Sequence, residues 1–475
     1  MGLKKNFIYN SFLTLSTYIF GLITFPYVSR VLGVQNIGIV NFVDNIINYF
    51  ILFSSLGLTI LGVREIAQSR GNKIDLSRTF SSLLTINITF TAVALIIYLI
   101  FINVIPQLEE YKNLLYIGVF KILFSVFLIE WLYKGLENFK YITLRTLIIK
   151  LIYVISIFVF VQDSKDIYIY FSLTIVVVIV NAITNILYIK GITYMTFHRL
   201  EIKKYLKPYC TLGIYMLLTS MYTSFNVVYL GITNNTVEVG YYTTAIKIYS
   251  IILGFFTAFT SVMLPRMSSL LTEGKTSEFV TMIQRSFNIL FSISIPLAIF
   301  SLFEAPVLIE ILSGKGYEGS IIPMQIIMPL IIIVGIAQIL AVQILMPLKK
   351  DSIVLNASIL GAITGVLLNI ILVKELHSIG TAVVLLCSEF IVTAYYCLAI
   401  KKEQLINIPF RLFFKHLIVS VPYFIVCITF NSLGLNIYIS ALLVIISFLI
   451  YFLFANVYLL NNNPLNNINF NKKHN

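Results

Sequence analysis

Charge is what this sequence has least of. Asp, Glu, Lys and Arg make up 11% of its 475 residues, against about 25% in ordinary soluble domains. Histidine is as scarce: His198, His377, His416 and His474 lie far apart, in no metal-ligand spacing. The four cysteines, Cys210, Cys387, Cys397 and Cys427, form no CxxC pair and sit in or beside apolar stretches. They read as small buried hydrophobes rather than disulfide partners or metal ligands. There is no Walker A loop, no HExxH, no GxSxG and no paired acidic motif in a sizeable loop. These gaps favour a carrier over an enzyme and point to no cofactor and no metal.

In place of charge the chain has apolar surface, with 59% of its residues hydrophobic. Hydrophobic stretches of about 18 residues or more recur from Phe7 to Leu460, each long enough to cross a hydrocarbon layer of roughly 30 Å at 1.5 Å per residue. The pattern predicts an all-α polytopic membrane protein of about fourteen spans: 8–29, 38–61, 81–104, 113–133, 142–162, 167–189, 209–230, 240–264, 286–304, 321–348, 352–373, 379–400, 413–431 and 436–460. The first segment is too long, and lacks the small-residue cleavage pattern, to be a removed signal peptide.

The net charge of +13 is better explained by membrane topology than by a nucleic-acid partner, because Lys and Arg concentrate in cytoplasmic loops. Placed on these spans, 25 of the 33 cations fall on one side, among them the group Lys134, Lys140 and Arg145. Arg30, Lys112, Lys165, Lys315 and Lys374 fall on the other. The bias predicts a multi-pass protein of the cytoplasmic (inner) membrane with both termini in the cytoplasm. The loops on the poorly charged side are short, leaving little room for a catalytic domain there.

An internal repeat is also legible. Gly38 to Arg64 and Gly240 to Arg266 are both separated by 26 residues, and the common offset aligns the second span with the eighth in the same orientation. This implies two six-helix lobes, 1–200 and 201–404, related by an axis along the membrane normal, followed by two helices and a polar tail in 405–475.

Three lysines, Lys121, Lys150 and Lys247, lie about eight or nine residues into spans 4, 5 and 8. A charge there costs about 2.5–3.5 kcal/mol on insertion scales, so each is a candidate for function; the alternative is an interhelical ion pair that only fixes packing. The acidic counterparts are Asp44, Glu130 and Glu389. Lys121 and Glu130 are nine residues apart, on opposite faces of a continuous helix, so Lys121 is expected to need another partner, such as a substrate. The repeat suggests that Asp44 and Lys247 face one another. Glu389 suits either a proton or cation site or a hydrogen-bonded structural carboxyl. Arg30, Arg64 and Arg266 lie at span ends, where anchoring to headgroups competes with a gating role. Gly361 and Gly365 form a GxxxG helix-packing face.

Residues 24–68, TFPYVSRVLGVQNIGIVNFVDNIINYFILFSSLGLTILGVREIAQ, resemble the opening of the polysaccharide repeat-unit flippases, the Wzx-type (O-antigen/capsule) members of the MOP exporter superfamily. EWLYKGLENFKYITL (130–144), VGYYTTAIKI with VMLPRMSSL (239–270) and LNIILVKELHSIGTAVVLLCSE (368–389) resemble later parts of that family in the same order. The resemblance implies two six-helix bundles around a central cavity that carry an undecaprenyl-diphosphate-linked oligosaccharide to the outer leaflet. It implies a cationic lumen, for which Lys121, Lys150, Lys247 and Arg30 are the candidates, with Asp44, Glu389, Glu130, Arg64 and Arg266 as candidates for coupling or gating. It also implies contact with membrane lipids and, as partners, a glycan polymerase and a chain-length regulator. Many relatives have twelve spans, so helices 13 and 14 depart from the minimal pattern. Three rivals stay open: a cation-coupled multidrug exporter of the same superfamily, a membrane glycan polymerase, and a non-transporting scaffold.

Overall fold

The computed structural model describes residues 3–196, 199–433 and 437–454. His198, His474, Lys472, Lys473 and the end of the fourteenth expected span lie outside the described residues. Among those described every regular element is helical. Two compact units divide the chain: Met1–Thr244 with Leu312–Gly319 and Ser358–Ser388, and Ala245–Ile311 with Ser320–Ala357 and Glu389–Asn475.

The first unit opens with α1 (Leu3–Ser55), α2 (Leu58–Ser69), α3 (Lys73–Val104), α4 (Lys112–Ser125), α5 (Glu130–Gly135), α6 (Phe139–Phe160) and α7 (Ile167–Tyr188). It continues through α8 (Ile202–Thr223), α9 (Phe225–Thr233) and the start of α10 (Thr236–Thr272). The second unit holds the rest of α10 and α11 (Thr276–Phe303), then α12 (Ala305–Ser313) up to Ile311, α13 (Ile321–Ile327) and α14 (Leu330–Gln338). α15 (Asp351–Leu368) and α16 (Lys374–Lys402) each contribute to both units, and α17 (Phe410–Ser432) and α18 (Ile437–Phe454) complete the second.

Among the described residues eight helices are long and apolar enough to cross a membrane, or nine if one bent pair counts as a span. Two of the eight, Ser16–Ser69 and Asp351–Lys402, run for 54 and 52 residues, about 80 Å at 1.5 Å per residue, far more than one crossing. Each is broken where the sequence expects a turn: α1 at Gly33 (φ 75°, ψ 168°) and α16 at His377 (φ 51°, ψ −129°). A positive φ is open to glycine without steric cost. The fourteen-span count itself rests on the sequence. Ile96, Ile100, Ile148, Leu151, Ile152 and Ile155 are all more than half exposed, an arrangement for lipid rather than water, since the hydrophobic penalty of such faces vanishes in hydrocarbon.

Two expected spans are interrupted. Span 4, expected as one helix over 113–133, stops at Ser125, turns as the Phe127 N–H donates to the Phe124 carbonyl and the Leu128 N–H to the Ser125 carbonyl, and restarts as α5 at Glu130. Span 10 bends by 41° between its halves. Pro329 lies at that break and has no N–H to carry the ladder through; beyond it Ile339–Leu345 widens into a π-helical turn.

The repeat-related glycines meet one another. A Cβ on Gly38 would fall 1.7 Å from the Thr236 carbonyl oxygen and 2.9 Å from the Gly240 nitrogen, while one on Gly240 would fall 2.3 Å from the Val34 carbonyl oxygen. The backbones of α1 and α10 therefore cross in contact, and only glycine permits it at both positions. A Cβ on Gly365 would likewise fall 2.9 Å from the Tyr222 Cβ.

Candidate functional site

Charged and polar side chains gather on the membrane-spanning helices of the first unit. Asp44 and Asn48, one turn apart on α1, share a face. The Lys121 ammonium of α4 donates to Asp44 Oδ1 at 2.5 Å and to Asn48 Oδ1 at 3.1 Å, and Asn48 Nδ2 donates to Asp44 Oδ2 at 3.0 Å. The phenols of Tyr98, Tyr153 and Tyr170 lie within electrostatic reach of the same carboxylate. Lys121 is 13% exposed and Asp44 30%, so the pair is only partly sequestered. Lys121, expected to need a partner other than Glu130, such as a substrate, thus has Asp44 as that partner. Spacing along one chain cannot reveal a partner 77 residues away.

Half-buried Lys150 on α6 donates to Thr17 Oγ1 at 2.6 Å, and Glu130 lies within its electrostatic reach. Lys247 stands exposed on α10, and Arg30 exposed beside the Gly33 break, donating to the Pro26 carbonyl at 2.8 Å. The Arg30 stem packs on Gly314. Arg64 pairs with Glu65 at 3.0 Å and Arg266 with Glu278 at 3.7 Å, all but Glu65 about half exposed. Such pairs contribute little to stability. Glu389 is half-buried on α16, with no ion-pair partner among the described residues.

The residue that sequence reasoning missed is Arg145. The span map groups it with the cytoplasmic cations, yet it is 7% exposed in α6. Its guanidinium donates to Glu130 Oε1 at 2.6 Å and to Asn185 Oδ1, and lies 5.5 Å from the Tyr141 ring centre. Asn185 in turn donates to the Phe127 carbonyl at 3.1 Å, and Tyr133 donates to the Asn185 carbonyl at 2.5 Å. Arg145 thus ties α6 and α7 to the break between α4 and α5. Glu130 also takes Lys134 at 3.6 Å. Its separation from Lys121 is therefore real, but the helix break and the Arg145 bond produce it. The signal available in the sequence was Glu130 itself, a carboxylate late in a span that needs a cation on a neighbouring helix.

Among the described residues no cluster of His, Cys, Asp and Glu is arranged to hold a metal ion. Lys121 and Lys150 each meet an oxygen acceptor on another helix of the first unit without being fully buried.

A bundle of apolar helices with broken spans and ion pairs inside the membrane defines a multi-pass transporter fold, and solved structures carry the same one. The chain superposes on "Lipid II flippase MurJ, inward closed conformation" with a TM-score of 0.78 at 16% identity, covering 94% of this chain and 98% of that one. An inward-facing multidrug resistance MATE family transporter of the MOP superfamily follows at 0.63 and 14% identity, covering 82% and 95%. The chain itself belongs to the polysaccharide biosynthesis protein family, whose pattern matches residues 3–271. Two similar proteins, from Escherichia coli (strain K12) and Shigella dysenteriae, each carry the name "Putative O-antigen transporter"; both are 24% identical, over 86% and 84% of this chain and 98% and 100% of theirs.

Proposed function

We propose that the protein is a flippase that moves a polyprenyl-diphosphate-linked oligosaccharide repeat unit from the cytoplasmic to the outer leaflet, for surface polysaccharide biosynthesis. The observation that carries this reading is the partly exposed Lys121–Asp44–Asn48 group inside a membrane span. Family membership and the O-antigen names of the two bacterial relatives support it.

Each sugar hydroxyl taken into hydrocarbon without a partner costs on the order of 4–8 kcal/mol, so a glycan needs a polar path. The diphosphate carries roughly two negative charges, and moving it outward, down an inside-negative potential of about 100 mV, releases about 4–5 kcal/mol. Lys121 receives the diphosphate by exchanging Asp44 for a phosphate oxygen, and Lys150 does so by leaving Thr17, so neither cation is ever without a partner. Lys247 and Arg30 extend the cationic path, and Asp44, released, becomes free to take a proton. The lobes 1–200 and 201–404 alternate in access, the polyprenyl tail stays in lipid, and 405–475 flanks that route.

The test is flipping of a defined lipid-linked oligosaccharide in proteoliposomes. Lys121→Ala, Lys150→Ala and Lys247→Ala should each lower the rate tenfold or more with protein abundance unchanged. Full export by all three sinks the cationic path. Efflux of cationic dyes in place of glycolipid would decide for the multidrug reading, which the MATE fold also accommodates.

A further inference from the structure

The second unit contains a carboxyl that none of this uses. Glu304 joins α11 to α12; its N–H donates to the Phe300 carbonyl at 2.9 Å and its carbonyl accepts from Leu308 N at 2.8 Å. Its own φ and ψ, −93° and 12°, interrupt the helix. The residue is 1% exposed, and neither carboxyl oxygen has a hydrogen-bond partner among the described residues. Around the end of α11, Ile299, Phe300 and Phe303 pack with Tyr423 and Cys427 of α17 and with Val444, Phe448 and Tyr451 of α18. Tyr423 and Cys427 are the titratable groups in electrostatic reach of Glu304. Tyr451 is engaged by the Val419 carbonyl, Gln325 of α13 donates to the Leu302 carbonyl, and Glu310 of α12 lies beyond Leu308 with an interaction of its own.

An ionised carboxylate in such a place would forfeit several kcal/mol of hydration with nothing returned, so the group is neutral here. A bound hard cation does not supply the neutrality, because it needs several oxygen ligands converging on it, and the surroundings of Glu304 among the described residues are mostly aromatic and aliphatic side chains. A proton does. We propose that Glu304 is a proton-binding site that latches the α11–α12 junction against α17. With the carboxyl protonated the junction is closed as seen; once it loses the proton to water, the carboxylate must leave the aromatic core, and the break in the helix at this residue lets it swing out. The proton balance is one H⁺ bound on closing and one released on opening. As a latch the site is independent of the transport reading; as a coupling site it rests on it.

Two measurements on the purified full chain test this. Infrared spectra at neutral pH should contain a protonated carboxyl C=O band that shifts in deuterium oxide and is missing in Glu304→Gln. Amide exchange over residues 300–310 should quicken at least tenfold in wild type as pH is raised through the loss of that band. In Glu304→Gln it should stay slow apart from the intrinsic pH dependence. A band retained in Glu304→Gln, or no such band in wild type, overturns the proton site whatever happens in transport. Exchange in Glu304→Gln that follows wild type at every pH overturns the latch. In proteoliposomes an outside-acid gradient should change the wild-type flipping rate severalfold and leave Glu304→Gln unaffected. A wild type that flips nothing fails the transport reading, while the infrared band still decides the proton site.

Discussion

Lys121 and Asp44 each make the other tolerable in the membrane. Removing one partner of a fully buried pair costs about 3–5 kcal/mol; with 13% and 30% exposure here the cost shrinks, because water reaches both groups. Asp44→Asn and Lys121→Met should each lower the thermal midpoint, and the double variant should recover part of the loss, with a coupling energy of about 1 kcal/mol or more. Independent losses that simply add would show that the contact is idle. Transport should separate from stability in the same set, because the double variant restores folding without restoring the cation. Arg145 behaves differently: deeply buried and tied to Glu130, Asn185 and Tyr141, it belongs to the architecture of the α4–α5 break rather than to a substrate path.

At the scale of elements, the α1–α10 crossing brings backbone against backbone at Gly38 and Gly240. A methyl group on Gly38 meets a backbone oxygen at 1.7 Å, and backbone cannot step aside as a side-chain tip can. Gly38→Ala should destabilise the protein by about 3 kcal/mol or more, at or above the usual range for overpacking, read as a lower midpoint of thermal unfolding in detergent. Gly71, with nothing within 4 Å of its would-be Cβ and no positive φ, is the control: Gly71→Ala should unfold with wild type. Equal midpoints for Gly38→Ala and Gly71→Ala would mean that the two backbones are not in contact. The turns of α1 and α16 were legible because glycine and charge interrupt the apolar run there. The α4–α5 break was not, since Val126, Phe127, Leu128 and Ile129 are apolar throughout and only the bond from Asn185 to the Phe127 carbonyl explains it.

For the whole molecule, the positive-inside count makes a prediction about sides. With native cysteines replaced, single cysteines at Lys315 and Lys165 should react with a membrane-impermeant thiol reagent from outside intact cells, whereas one at Arg199 should react only after permeabilisation. The opposite pattern would reverse the orientation, and with it the sense in which the membrane potential assists the proposed anionic cargo.

Composition and hydrophobic runs by themselves determined that this chain lives in a bilayer, that it is helical, and roughly where it turns. Those properties follow from local sums: about twenty apolar residues span the layer, and backbone groups in lipid must satisfy themselves within a helix. The glycine repeat and the costly lysines were likewise visible as exceptions to the local pattern. Tertiary structure alone decided the partners. Asp44 with Lys121, Glu130 with Arg145 and the solitary Glu304 differ in nothing that their neighbours in sequence reveal. Whether a buried charge is paired, shared or neutralised by a proton depends on which helices pack beside it, and that is set by contacts tens to hundreds of residues apart.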